Sequence, residues 1–240
     1  MTTGNGNSQM GAGRTPGPPE MHMQTPTDHP QALIFDMDGV LVSSERVHWK
    51  AYRATLATAG VDYSWEAYRD TGMGISRENV LMNILGPLEE QRLLELMQLK
   101  EDHVRVVLGE EGVQRVPGAR EFVTAARDRG LKAAVATSSR NPELFLEAGG
   151  YAELFESITC RRDVELPKPH PQTYLDAAAT LDLAPNRCLA FEDSPTGIAA
   201  ANAAGMAVFA LATTHPADSL GEATAVFNGF EEIELDSLLG

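Results

Sequence analysis

Asp36, Asp38, Glu192 and Asp193, the hydroxyls of Thr137 and Ser138, and the ammonium of Lys168 form a set that phosphate chemistry could use. Asp36 and Asp38 are separated by Met37 alone, and carboxylates that close repel each other unless they share a cation or a proton. Mg2+ meets that need, because a hard octahedral ion takes one or two carboxylates together with phosphate oxygens and water. Asp36, the backbone carbonyl of Asp38, and Asp193 arriving from another strand would suit it. With the phosphoryl oxygens neutralised, a carboxylate can approach phosphorus and form an aspartyl-phosphate. Asp36 is therefore expected to attack. Asp38 is expected to protonate the leaving oxygen and then to activate the water that clears the intermediate. Thr137 and Ser138, just ahead of a helix start, offer hydroxyl and amide donors to phosphoryl oxygens. Lys168, wedged between Pro167 and Pro169, offers a point charge to the same oxygens. Singly, each piece reads as a loop turn, a helix cap, a surface charge or a solvated turn. Their order along the chain argues for chemistry.

That order depends on the elements that carry them. Ala32-Leu33-Ile34-Phe35 stops at Asp36, Ala133-Ala134-Val135-Ala136 at Thr137, and Cys188-Leu189-Ala190-Phe191 at Glu192. Short apolar runs bounded by polar residues read as strands buried on both faces, as in a parallel sheet, and such sheets bind ligands at the strands' carboxyl edge. From Val116 onward strands and helices alternate. Pro117-Gly118 opens one helix, and Asn141-Pro142, His170-Pro171 and Ser194-Pro195 each carry the N-cap and N1 signature of another. The expected fold class is α/β: a doubly wound parallel sheet with right-handed crossovers and an inserted all-α cap. The core would comprise residues 31–43 and 116–240, and the cap residues 44–115, over the first strand's carboxyl end where a lid would sit. Residues 1–30, rich in Gly, Pro and small polar residues, are expected to be a disordered tail. In the cap, His48, Tyr52, Leu56 and Ala59 would share one helix face. Lys100 interrupts an apolar stripe of Leu93, Met97, Val104 and Val107, so it must snorkel or meet an anion at the core's edge or at an opening facing the site.

Phe35-Asp36-Met37-Asp38-Gly39-Val40-Leu41, Thr137-Ser138-Ser139, Lys168-Pro169-His170-Pro171 and Phe191-Glu192-Asp193-Ser194-Pro195-Thr196-Gly197 resemble the four motifs of the haloacid dehalogenase superfamily. The resemblance runs from about Ala32 to the C-terminus. It implies a Rossmann-like core with the small α-helical cap of the subfamily that holds sugar phosphatases, phosphoglycolate phosphatase-like enzymes and β-phosphoglucomutase. It further implies Asp36 as nucleophile, Asp38 as general acid and base, Thr137 and Lys168 on the phosphate, and magnesium at Asp193 assisted by Glu192. The second aspartate sets the chain apart from dehalogenases, which have no leaving oxygen to protonate. Phosphonatases bring a Schiff-base lysine from the cap, for which Lys100 and Lys50 are the candidates, and phosphate ester chemistry is favoured over both. Gly74-Ile75-Ser76-Arg77-Glu78, with His48 and Lys100, resembles cap residues of β-phosphoglucomutase, while Leu166-Pro167-Lys168-Pro169-His170-Pro171-Gln172 resembles the sugar-phosphate phosphatase branch. Hydrolysis of a small phosphate monoester such as a sugar phosphate is placed ahead of a phosphohexose mutase. An inactive binding protein comes last, because Asp36, Asp38 and Asp193 are all present. Ser43 stands where relatives often have Asp, which bears on cap closure and substrate preference.

Composition narrows the partners. Nineteen Lys and Arg against thirty-four Asp and Glu give a formal charge of -15, which argues against nucleic acid and anionic membranes. Cys160 and Cys188 lack metal-ligand spacing and read as buried reduced thiols. With no signal-like or membrane-length apolar stretch, a cytoplasmic monomer acting on a small phosphorylated metabolite is expected.

Overall fold

The structure, a computed structural model, describes Met1 and residues 29–238. Most of the tail expected over residues 1–30 lies outside the described residues. Strands β1 (Ala32–Phe35), β4 (Lys132–Ala136), β5 (Ser157–Thr159), β6 (Cys188–Glu192), β7 (Ala207–Leu211) and β8 (Ala225–Phe227) form one parallel sheet in the order β5-β4-β1-β6-β7-β8. Every residue of β1 is fully buried, and its side chains alternate between the two faces. Leu33 and Phe35 join an apolar cluster with Phe122 and Val123 of α5 (Ala119–Asp128) and Phe145 of α6 (Pro142–Ala148). Ala32 and Ile34 join a second cluster with Tyr174 and Ala177 of α7 (Gln172–Thr180) and Ile198 of α8 (Pro195–Ala203). Burying one such large apolar side chain contributes about 1.5–3 kcal/mol. Helices on both faces make the sheet doubly wound, as expected.

Between β2 (Val42–Ser43) and β3 (Gln114–Arg115) the chain makes four helices: α1 (Glu45–Ala57), α2 (Trp65–Thr71), α3 (Arg77–Leu85) and α4 (Glu90–Glu111). β2 and β3 pair antiparallel, tying together the two connections into the helical insert. Ser64 and Ser76 cap α2 and α3, accepting from the amides of Ala67 and Asn79. The insert has two packing regimes. Val47, Ala51, Val104 and Leu108, at its base, belong to the sheet's own apolar cluster. Tyr52, Leu56, Tyr63, Tyr68, Val80, Leu81 and Leu96 make a separate small core further out.

Several details depart from sequence expectation. β5 and β8 give weak signals because they are three-residue edge strands, only partly buried. α7 begins one residue late, with Pro171 rather than His170 at the cap position. α1 ends at Ala57, leaving Ala59 outside it. The buried residues of α4 are Leu96, Lys100, Glu101, Val104 and Leu108; Val104 belongs to the expected stripe, and its other members, Leu93, Met97 and Val107, pack partly buried against the cores. Among the described residues, no helix is long and apolar enough to cross a membrane.

Candidate active site

Phe35 pairs with Val135 on one side and Phe191 on the other, so β1, β4 and β6 end side by side at the sheet's centre. The residues that follow are therefore delivered to one place. The Asp36 amide continues the ladder by donating to the Phe191 carbonyl at 2.9 Å. Asp36, Glu192 and Asp193 can each bring a carboxylate oxygen within 4.8 Å of the others, and all three are buried. Two glycines make room for this crowd. A Cβ at position 39, whose φ is +77°, would run into the Asp193 carboxylate, and one at position 197 would run into that of Glu192.

Lys168, from the loop ahead of α7, enters the cluster as its fixed cation. Its Nζ donates to Asp36 Oδ1 at 2.7 Å, to Glu192 Oε1 at 2.6 Å and to the Ala136 carbonyl at 2.9 Å, and lies 3.4 Å from the Tyr174 hydroxyl. Glu192 is held on its other side as well. Oε1 accepts from the Tyr174 hydroxyl at 2.8 Å, while Oε2 takes the Asp193 amide at 3.1 Å and the Ser194 hydroxyl at 3.1 Å. Asp193 accepts from Thr214 through Oδ2. Thr137 is buried at the end of β4 and its hydroxyl oxygen accepts from the Ser139 amide, whereas Ser138 beside it is exposed.

Burial sets the electrostatics. It drives the Asp36 pKa well up despite the opposing pull of Lys168, with Glu192 and Asp193 adding to the rise. Asp193 is raised to about 7, by burial and then by Glu192. Asp38 is raised to about 6 by burial, against the Ser44 hydroxyl that donates to its Oδ1. Burial alone would lower Lys168, but Asp36 and Glu192 outweigh it and hold the ammonium charged. Three carboxylates around one lysine are a donor set of hard oxygens with an excess of negative charge, which fits a small dication. Glu192 is committed to Lys168, Tyr174 and the start of α8, so Asp36 and Asp193 are the carboxylates of the set that could offer oxygens to such an ion. The Asp38 carboxylate stands apart, tied to Ser44.

The insert supplies the facing wall. Lys100 is buried, with Nζ 3.0 Å from His48 Nδ1 and 5.2 Å from the centre of the Tyr52 ring. Burial lowers Lys100 to about 8, and the charges of Lys100 and Asp38 act on one another. His48 also packs against Phe145 of the core, 5.1 Å between ring centres. Burial, reinforced by Lys100 and Arg77, holds His48 well below its usual pKa, which suits a ring nitrogen accepting from an ammonium. Arg77 donates to Glu101 Oε2 at 3.2 Å, and Glu101 Oε1 accepts from Asn141 Nδ2 at 2.6 Å.

Ser44, Tyr174, Thr214, Glu101 and Asn141 did not stand out as site residues in the sequence. Ser44 and Asn141 carried a disguised signal, because both occupy helix N-cap positions yet neither side chain caps its helix. Their polar groups are spent on Asp38 and on Glu101. Tyr174, Thr214 and Glu101 sit in motifs that look like ordinary helix and loop, and only the fold brings them in.

Over residues 33–211 the chain matches the family described as haloacid dehalogenase-like hydrolase. It is 35% identical over 195 residues to protein CbbY of Rhodobacter capsulatus, covering 74% of this chain and 83% of that one. It is 33% identical to hexitol phosphatase B of Escherichia coli (73% and 80%) and 30% identical to β-phosphoglucomutase of Bacillus subtilis (73% and 80%). Among solved structures, a mutant of CbbY from Rhodobacter sphaeroides in complex with xylulose-(1,5)bisphosphate superposes with a TM-score of 0.74 at 25% identity, covering 85% of this chain and 96% of that one. With its four motifs gathered at one sheet edge and named phosphatases among its relatives, the chain belongs to the haloacid dehalogenase-like hydrolases.

Proposed function

We propose that the protein hydrolyses a small phosphate monoester, a sugar phosphate or close kin, through an aspartyl-phosphate on Asp36. The observation that carries this reading is the different treatment of the two aspartates. Burial raises both, but the Asp36 carboxylate is clamped by the Lys168 ammonium beside Glu192 and Asp193, whereas Asp38 is held apart by Ser44 with its pKa raised to about 6. One carboxylate is thus placed to attack and the other to carry a proton near neutral pH. Asp36 bonds to phosphorus as the bond to the leaving oxygen breaks, and the Asp38 proton passes to that oxygen. Asp38 then takes a proton from water, the water oxygen bonds to phosphorus, and the bond to Asp36 breaks to give phosphate and the free carboxylate.

Lys168 and the donors at Thr137 and Ser138 hold the phosphoryl oxygens. Asp36 and Asp193, with Glu192 behind them and the Asp38 carbonyl beside them, would hold magnesium. When bound, the ion neutralises charge that would otherwise repel the incoming phosphate. Residues 44–115 act as a cap over the site, and His48, Lys100 and Arg77 face the part of the substrate that is not cleaved. The relatives' names support a phosphorylated sugar as substrate. The test is phosphate release from a panel of sugar phosphates, phosphoglycolate and nucleotides, with magnesium and with excess chelator, monitored for isomerised product. Release that needs magnesium and yields little isomer supports the reading. Full activity in chelator with metal confirmed absent, or isomerisation faster than release, overturns it.

A further inference from the structure

The contact between insert and sheet domain at Glu101 is unusual in its chemistry. A guanidinium from α3 and a carboxamide from the loop before α6 converge on a single carboxylate. Those two donors make a binding site for an anion, and the protein has placed its own anion in it. The arrangement is enclosed, with side-chain exposures of 22% for Arg77 and 11% for Glu101. It is also braced, since Asn141 Oδ1 accepts from Arg162 Nη1 at 3.2 Å, which turns the Asn141 amide group toward Glu101. Arg162 is itself paired with Glu143. An unbroken polar chain therefore runs from the sheet domain through Asn141 to Glu101 and across to Arg77 of the insert. Lys100, the neighbour of Glu101 in sequence, meets His48 on the site side.

We propose that Glu101 is a specificity-determining residue: its carboxylate stands in for the distal anionic group of a substrate. This rests on the phosphatase reading for what is cleaved, and it adds which substrates are preferred. The closing contact between insert and sheet domain is complete without a second phosphate, so a monophosphate with neutral hydroxyls at its far end suffices. A sugar carrying a second phosphate must displace Glu101 from Arg77 and Asn141 or bring two anions together, and like charges in an enclosed space repel. Glu101 touches neither the scissile phosphate nor the reacting carboxylates, so it selects substrate without entering the chemistry.

Binding can be read without turnover. In an Asp36→Asn background with magnesium present, calorimetry would give dissociation constants for glucose 6-phosphate and glucose 1,6-bisphosphate, with Glu101 intact, as Glu101→Gln and as Glu101→Ala. Removing the carboxylate is expected to strengthen bisphosphate binding relative to monophosphate at least about tenfold, a difference of about 1.4 kcal/mol. Glu101→Gln should move the ratio the same way, and it keeps the side chain's size if the alanine variant folds poorly. A ratio unchanged within about twofold in the folded variants overturns the proposal, and so does failure of the Asp36→Asn protein to bind either sugar. Phosphate release from p-nitrophenyl phosphate by the parent protein reports separately on the phosphatase reading.

Discussion

The two halves of the site are built differently. On the sheet side, Asp36, Lys168, Glu192 and Asp193 are buried and locked to one another and to backbone groups, in space kept open by Gly39 and Gly197. On the insert side, His48 and Arg77 are half-buried, His48 meeting Lys100 and Phe145 and Arg77 meeting Glu101. A pre-set electrostatic cluster needs no reorganisation as charge develops in the reaction. A wall fastened by a few polar contacts can move to admit substrate. Under the proposed function this contrast puts chemistry at the sheet edge and choice of substrate in the insert, and substitutions on the two sides should then separate accordingly.

The largest effect belongs to the sheet side. Asp36→Asn should reduce phosphate release by about a thousandfold or more while the fold is kept, since no neighbour can replace the nucleophile. Steady-state kinetics with a thermal melt checks both halves of that statement. Lys168→Met should cost stability as well as activity. Its side chain is 5% exposed and its ammonium neutralises Asp36 and Glu192, and removing one partner of a buried pair costs about 3–5 kcal/mol. Denaturant unfolding would show it, and a loss below about 1 kcal/mol would place the lysine outside the structural cluster.

A subtler sheet-side effect concerns pH. Asp38 must be protonated to act as acid, so kcat/KM should fall as pH rises through its pKa. Ser44 favours the charged form and holds that pKa down. Ser44→Ala should therefore raise it and carry the alkaline limb of the profile to higher pH. A limb that stays in place, or moves down, would detach Ser44 from Asp38.

The smallest effects belong to the insert. Arg77→Ala should change KM for the preferred substrate by about tenfold and kcat by less than about threefold, because it frees the Glu101 contact that helps hold the insert over substrate, a binding effect shared by ground and transition states. A drop confined to kcat would blur the division between the two halves.

The sequence made the sheet side legible because its residues lie at strand ends, where apolar runs stop at Asp36, Thr137 and Glu192. Short range suffices there: a strand of four or five buried residues announces itself, and the residue after it inherits a place. The partners of those residues were hidden for the opposite reason. Asn141 reads as a helix cap and Ser44 occupies a cap position, while the Tyr174 hydroxyl meets Glu192 only because the fold brings α7 within reach of β6. Lys100 could be flagged as misplaced on its helix, but its meeting with His48, 52 positions away, depends on how α1 and α4 pack. The edge strands β5 and β8 escaped because half-buried three-residue segments carry little pattern.

The central claim is that Asp36 carries the phosphoryl group during turnover. The direct measurement is acid quenching of the protein during steady-state reaction with its best substrate and magnesium, followed by peptide mass spectrometry. The expected result is one phosphoryl group on the peptide that begins the site, mapped to Asp36 and absent from Asp36→Asn. A phosphoryl group on Ser138, His48 or another side chain, or none on the protein during sustained turnover at a rate slow enough to trap it, would contradict the account.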